Sequence, residues 1–323
     1  MRGVRPPGIV WRWRAAALGG LYALPGAAVA LSNPPHGVAL AVGALPATLV
    51  GLLPTRRRRL LVVFFGALIG LSMFVGGVLA NVPVVAVAAI GLFGVGAALL
   101  AARFPQGRII MTLALPMVGV GLSYSDLTKA AGAAGLMIVG STGACLISMP
   151  WPEQVAAARP AAPAGPPAPT LSYGIRLGAA GGTAAAIGFI LNLDHVGWAC
   201  AAALLVMRPT ADMQRLRSIG RILAVCIGAL AGAALVRANP PAAVYSAATL
   251  IAMAAAGGTR QSRWYVTPAF TTFLVFLLLL YSDPQTATTR FNQRLLETLL
   301  GVGLAYLFGL ALPALARKLP TGN

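Results

Sequence analysis

Acidic residues are scarce in this chain, which has six Asp and Glu against 24 Lys and Arg in 323 residues. Charged residues of both signs make up 9% of the sequence, whereas a soluble globular chain carries about 25%. Hydrophobic residues make up 58%. In a soluble protein this charge balance would indicate nucleic-acid binding. Here the composition predicts a protein that lies in lipid, and no nucleic-acid partner is expected.

Residues that hold metals or form disulfides are also few. The three cysteines, Cys145, Cys200 and Cys226, fall inside apolar runs and lack metal-ligand spacing. The sequence has no acid cluster for a divalent metal, no His/Cys/acid set and no phosphate-binding glycine loop. It therefore predicts no enzyme activity, no cofactor and no metal site.

Apolar runs of membrane-spanning length fill the chain instead. About 20 apolar residues cross a bilayer, within a range of about 17–25. Six such runs lie in each half, at residues 15–31, 37–53, 60–80, 82–102, 109–124 and 127–149, then at 173–193, 196–207, 222–236, 241–257, 267–281 and 294–316. The sequence predicts an all-α polytopic membrane protein with about twelve transmembrane helices.

The two halves of the chain are similar at several points. RAAALGG at 14–20 aligns with RLGAAGG at 176–182, and Tyr-Ser-Asp at 124–126 recurs at 281–283. Because its motif recurs inside the chain, the first run is interpreted as a retained helix rather than a signal peptide. Six helices per half is an even number, so both halves point the same way. We expect two parallel six-helix repeats, residues 1–150 and 173–323, joined by a Pro/Ala-rich cytoplasmic linker at 151–172.

The cations indicate an orientation in the membrane. With the N-terminus inside, 20 of the 24 Lys and Arg fall in cytoplasmic segments, Arg221 among them. The other four, on the outside, are Lys129, Arg237, Arg290 and Arg294. This distribution predicts a multi-pass membrane protein with both termini in the cytoplasm.

The stretch from Tyr281 to Gly301 places Arg290, Arg294 and Glu297 at the start of a long apolar run. Arg294 and Glu297 share one helix face, and we expect the helix dipole to stabilise Glu297 in the first turn. Arg294 either binds an organic carboxylate, with Arg290 at the entrance, or forms a self-neutralising pair with Glu297 at the headgroup level. Glu297 is correspondingly either a proton carrier or the structural partner of Arg294.

A weaker copy of this stretch lies in the first half. KAAGAAGL at 129–136 keeps the cation and has Gly132 in place of the acid. Lys129 is therefore a third candidate for substrate binding. His36 and His195 occupy matching turns of the two halves, either as ordinary loop histidines or as pH sensors.

Two stretches of the second half carry further motifs. A tryptophan-led apolar helix from Trp198 ends in a proline turn, and a basic stretch that includes Arg221 follows it. Gly228 and Gly232 then have the four-residue spacing that lets helices pack closely in lipid. The second stretch, RLLETLLG, contributes Arg294, Glu297, Thr298 and Gly301.

These stretches are similar to the fusaric-acid-resistance (FUSC) family, which includes aromatic-acid efflux pumps of bacterial inner membranes and is related to plant malate transporters. Ala224 and Val225 stand where the family pattern has Gly-Thr. The resemblance implies export of small organic anions across the inner membrane, with aromatic carboxylates as substrates. A proton gradient is the expected energy source if Glu297 carries a proton. A periplasmic adaptor and a second copy of the chain are the partners considered. A passive anion channel and a non-transporting membrane scaffold stay open as alternatives.

Overall fold

The computed structural model describes residues 8–104, 107–153, 168–262, 266–280 and 287–316. These ranges contain helices and turns and no strand. The helices of the first half are α1 (Trp13–Ala30), α2 (Pro34–Gly43), α3 (Leu45–Val50), α4 (Arg56–Ala80), α5 (Pro83–Arg103), α6 (Gly107–Ile109), α7 (Leu115–Gly121) and α8 (Leu127–Ser148). Those of the second half are α9 (Leu171–Ile190), α10 (Val196–Val206), α11 (Ala211–Arg237), α12 (Ala242–Gly258), α13 (Val266–Leu280), α14 (Ala287–Tyr306) and α15 (Leu312–Ala316).

Five helical segments among the described residues are long and apolar enough to cross a membrane. They are Arg56–Ala80, Pro83–Arg103, Leu127–Ser148, Ala211–Arg237 and Thr289–Leu315. The prediction of an all-α protein with membrane-spanning helices is thereby confirmed. The number of twelve spans stays a prediction.

Two helices begin well before the apolar runs that predicted them. The run at 222–236 belongs to α11, which starts at Ala211, and the run at 294–316 continues a helix that starts at Ala287. The added segments are polar, but Gln, Arg, Leu and Met in them are good helix formers. Each of these helices therefore extends beyond its apolar part. Side chains that the sequence placed in the first turn lie further along the helix.

A π-turn, Leu307–Ala311, joins α14 to α15 just before Pro313. Proline lacks an N–H, so Pro313 leaves the carbonyl of Gly309 without its helical donor. Nη1 of Arg176 donates to that carbonyl at 3.4 Å. A second π-turn precedes Pro116. The prolines thus explain where the helical pattern changes.

The helices form two compact units, and each unit takes segments from both halves of the chain. The first unit comprises Met1–Gly70, Ala133–Ala161 and Ile222–Gln293. In it α1 packs against α12, and both contact α2. Its core includes Tyr22, Met253 and Phe276, each at most 3% exposed.

Arg59, in the first turn of α4, is a buried cation of the first unit. It is 1% exposed, and its Nη1 donates to the carbonyl of Ser148 in the last turn of α8 at 2.6 Å. The guanidinium also donates to the carbonyls of Leu53, Met149, Trp151 and Pro152. A cation at a helix C-terminus meets the negative end of the helix dipole. Arg59 is therefore a buried charge whose hydrogen bonds are satisfied.

The second unit comprises Leu71–Gly132, Ala162–Arg221 and Arg294–Asn323. In it α5 packs along α9, and α10 packs against α9 and α7. At the crossing of α5 and α9, a Cβ added to Gly94 would lie 2.5 Å from Cα of Gly178. All residues of α10 except Leu205 are buried. This buried helix forms one wall of the site described below.

A candidate anion-binding site

One face of α14 carries the four motif residues Arg294, Glu297, Thr298 and Gly301, all of them buried. Their spacing of three, four and seven residues puts them on one side of a helix. A Cβ on Gly301 would clash with the carbonyl oxygen of Ala199 on α10. The bare glycine therefore lets α14 approach the backbone of α10 closely. This approach brings the Arg294 side chain to the aromatic residue at the start of α10.

Arg294 lies over an aromatic ring. Its Cζ is 4.1 Å from the ring centroid of Trp198, and the Arg294 residue is 7% exposed. The ring of His195 lies 4.1 Å from that of Trp198, at an interplanar angle of 30°. A guanidinium over an indole gains a cation–π attraction of about 2 kcal/mol when both are desolvated. Trp198 thus positions the Arg294 cation.

Several polar atoms of this region have no hydrogen-bond partner among the described residues. Nε and Nη1 of Arg294, Nε of Arg221 and Oγ1 of Thr298 are buried, and they have no partner in the described part of the chain. Each unsatisfied buried polar group costs about 1–3 kcal/mol. The buried guanidinium of Arg59 differs in this respect, because it donates hydrogen bonds to backbone carbonyls. Nε and Nη1 of Arg294 and Nε of Arg221 are therefore available to an acceptor from outside the protein.

Arg221 supplies the second buried cation of the site. It lies on α11, is 9% exposed, and its charge acts on the guanidinium of Arg294. The carboxylate of Glu297 acts on Arg294 as well, with opposite sign. Two guanidinium groups and one carboxylate thus share a buried region within the second unit. The set attracts anions because its positive charge exceeds its negative charge.

Two predictions about these charges were wrong. Glu297 is not in the first turn of its helix, because α14 begins ten positions earlier at Ala287. The dipole effect fades within one turn, so it does not explain the position of Glu297. Arg221 is not a loop cation on the side opposite Arg294, since it lies within α11 and its charge reaches Arg294. The hydropathy pattern did not identify Arg221 as part of a helix, because the polar start of α11 resembles a loop in composition.

The other predicted binding residues lie apart from the buried set. Arg290 is half-buried in the first turn of α14. The side chain of Lys129 is 77% exposed and pairs with Asp126 at 3.9 Å. The second Tyr-Ser-Asp copy, from Tyr281, lies outside the described residues. The structure therefore groups Arg294 with Arg221 and Trp198, and it leaves Lys129 at the surface.

The motif glycines of α11 lie at helix contacts in the first unit. A Cβ on Gly228 would clash with the carbonyl oxygen of Ala269 on α13. A Cβ on Gly232 would lie 2.8 Å from Cβ of Phe276, which is also on α13. Both glycines therefore allow α11 and α13 to pack closely, and neither belongs to the buried charge set.

A second group of arginines surrounds Tyr173 in the second unit. The Tyr173 hydroxyl donates to the carbonyl of Met207 at 3.2 Å, and the charges of Arg176, Arg208 and Arg217 act on it. Burial and, to a smaller extent, the charge of Arg217 lower the pKa of Arg208 to about 10, and Tyr173 opposes the shift. In the sequence these arginines indicated topology only. Their convergence on one tyrosine comes from the packing of α9 and α10.

Comparison with known proteins gives one match. Residues 183–308 match the model of the fusaric acid resistance protein-like family. This part of the chain is similar to that family. The comparisons with curated proteins and with solved structures gave no match.

The fusaric acid resistance match contains the whole candidate site. Trp198, Arg221, Arg294, Glu297 and Thr298 all fall within residues 183–308, whereas the matched region begins after Lys129. The match confirms the resemblance found in the second half. Together with the apolar helices, it indicates a multi-pass membrane protein with a role in transport.

Proposed function

We propose that this protein exports small organic anions across the membrane and binds their carboxylate at Arg294 and Arg221. The observation that carries the proposal is the pair of buried guanidinium groups in which three N–H donors, Nε and Nη1 of Arg294 and Nε of Arg221, lack partners among the described residues. A carboxylate accepts two parallel N–H bonds from a guanidinium and would satisfy those donors. Burial in a membrane makes such charges expensive, so their retention favours a functional role.

The substrate class we propose is aromatic carboxylates. Trp198 lies beside the Arg294 guanidinium and offers an apolar ring to a planar ligand. The resemblance of the chain to aromatic-acid efflux pumps favours the same class. Arg290, one helical turn before Arg294, is proposed as the entrance residue.

Glu297 is the candidate for proton coupling. It is 3% exposed on the same helix face as Arg294, and a buried carboxylate next to a binding site can exchange a proton as the ligand leaves. A passive anion channel would use the same arginines without titration of Glu297. A membrane scaffold would use the glycine contacts and would not need Arg294.

The architecture we propose is twelve helices in two parallel six-helix repeats, 1–150 and 173–323, with the linker at 151–172. The packing of α1 against α12 and of α5 against α9 supports it, because each pair joins the first helix of one half to the fourth of the other. Residues 154–167 of the linker lie outside the described ranges. We further propose an inner-membrane location with cytoplasmic termini, and a periplasmic adaptor or a second copy of the chain as partner.

The test is uptake of radiolabelled benzoate into proteoliposomes. We expect Arg294→Gln and Arg221→Gln to reduce uptake at least about tenfold each, because a charged hydrogen bond to the carboxylate is lost. Arg215→Gln is the matched control, since Arg215 is an exposed arginine on the same helix as Arg221. Unchanged uptake by Arg294→Gln, with the protein inserted normally, would contradict the proposal.

Two further measurements separate the alternatives. A steady benzoate current without a proton gradient would favour the passive channel over the exporter. A proton-driven exporter should instead accumulate benzoate above the level reached in protein-free liposomes under the same pH gradient, and Glu297→Gln should abolish that excess. Absence of any anion movement in either assay would favour the scaffold.

A further inference from the structure

Among the described residues, the buried charges of the site leave one net positive charge. The charges that act on the Arg294 guanidinium are those of Arg221 and Glu297, one positive and one negative. All three residues are at most 9% exposed. The remaining aromatic neighbours, Trp198 and His195, contribute a ring face and an imidazole. The two guanidinium groups and the carboxylate together carry one net positive charge, which a ligand with one negative charge would neutralise.

A buried site in a membrane penalises uncompensated charge of either sign. A singly charged carboxylate would neutralise the set and satisfy the donors of Arg294 and Arg221 that lack partners among the described residues. A doubly charged anion would leave a net negative charge in the same low-dielectric region. It would also bring its second carboxylate towards Glu297, which is an acid on the same helix face.

From this balance we propose that Glu297 sets the charge selectivity of the site, so that the protein takes monocarboxylates in preference to dicarboxylates. The inference rests on the proposed function, because it assumes that the anion is bound by Arg294 and Arg221. It assigns Glu297 a role in specificity that is separate from proton coupling. The selectivity arises from charge balance rather than from the size of the ligand.

The experiment compares benzoate with isophthalate, which has one more carboxylate on the same ring. Uptake into proteoliposomes is measured at about pH 8, at which carboxylates are ionised and an ordinary histidine is neutral. We expect the wild-type protein to prefer benzoate by at least about tenfold, from the interaction of one extra charge at short range in a buried site. Glu297→Gln should reduce this preference by about tenfold and raise isophthalate uptake.

Two variants serve as controls. Glu297→Asp keeps the negative charge and should keep the preference for benzoate. Asp212→Asn removes an exposed acid from α11 and should leave the ratio unchanged. Equal or better uptake of isophthalate by the wild-type protein would overturn the inference even if Glu297→Gln does not fold. Measurable uptake by Glu297→Gln with an unchanged ratio would overturn it as well.

The outcome also distinguishes this inference from the proposed function. Uptake of neither compound by the wild-type protein would contradict anion transport itself, and the selectivity role of Glu297 would fall with it. Uptake that depends on Arg294 but shows no preference for benzoate would leave anion transport in place and refute only the selectivity role.

Discussion

Replacing Arg294 by Met should abolish transport without loss of stability. The two N–H donors of Arg294 that lack partners in the described residues each cost about 1–3 kcal/mol, or about 2–6 kcal/mol together. The cation–π contact with Trp198 stabilises the folded protein by about 2 kcal/mol. The methionine side chain is similar in length and has no donors, and the remaining charges of Arg221 and Glu297 balance. We therefore expect the free energy of unfolding to rise by about 2 kcal/mol.

Arg59→Met is the matched comparison, because it removes an equally buried arginine. The guanidinium of Arg59 donates to carbonyls at the end of α8 and beyond, at distances such as 2.6 Å to Ser148 and 2.8 Å to Trp151. Its loss leaves these buried acceptors without a donor, at a cost of about 3–5 kcal/mol. The two substitutions are chemically identical, yet their effects on the free energy of unfolding should have opposite signs.

The assay is the free energy of unfolding in a mixed-micelle denaturant titration, with benzoate uptake measured on the same preparations. A loss of stability in Arg294→Met as large as that in Arg59→Met would refute the reasoning. Such a result would mean that Arg294 is held by protein partners, and that the donors described here are not available to an anion.

Three smaller changes test the walls of the site. Gly301→Val places a branched side chain against the carbonyl of Ala199, so it should move α14 away from α10, cost about 1–3 kcal/mol of stability and lower benzoate uptake. Trp198→Leu removes the ring beside Arg294 and should raise the KM for benzoate about tenfold, measured by the concentration dependence of uptake. Thr298→Val removes a buried hydroxyl that lacks a partner in the described ranges, so the unfolding midpoint should not fall.

Much of the fold follows from hydropathy and spacing. Apolar run length is set by bilayer thickness, and the all-α membrane-type fold was therefore predictable. The limits of the helices were less predictable. The polar segment before Arg221 is helical because its residues favour helix, while hydropathy marks only where the apolar residues begin. The same effect placed Glu297 too close to the start of α14.

The site was predictable only on α14. Arg294, Glu297, Thr298 and Gly301 share a face because of their spacing, which is a local property of a helix. Lys129 was also a candidate from the sequence, yet its side chain is 77% exposed and pairs with Asp126. A cation near an apolar run looks the same in the sequence whether it lies at the surface or in the interior.

By itself the sequence determined the class of protein, the family that its second half resembles and the helix face that carries Arg294 and Glu297. Only the tertiary structure decided what lies opposite that face. Trp198 and Arg221 precede Arg294 by more than 70 residues. Trp198 meets Arg294 where Gly301 lets α14 approach α10, and the charge of Arg221 on α11 acts on the same guanidinium. Contacts of that range depend on how helices pack, and packing is not encoded in the period or composition of any single helix.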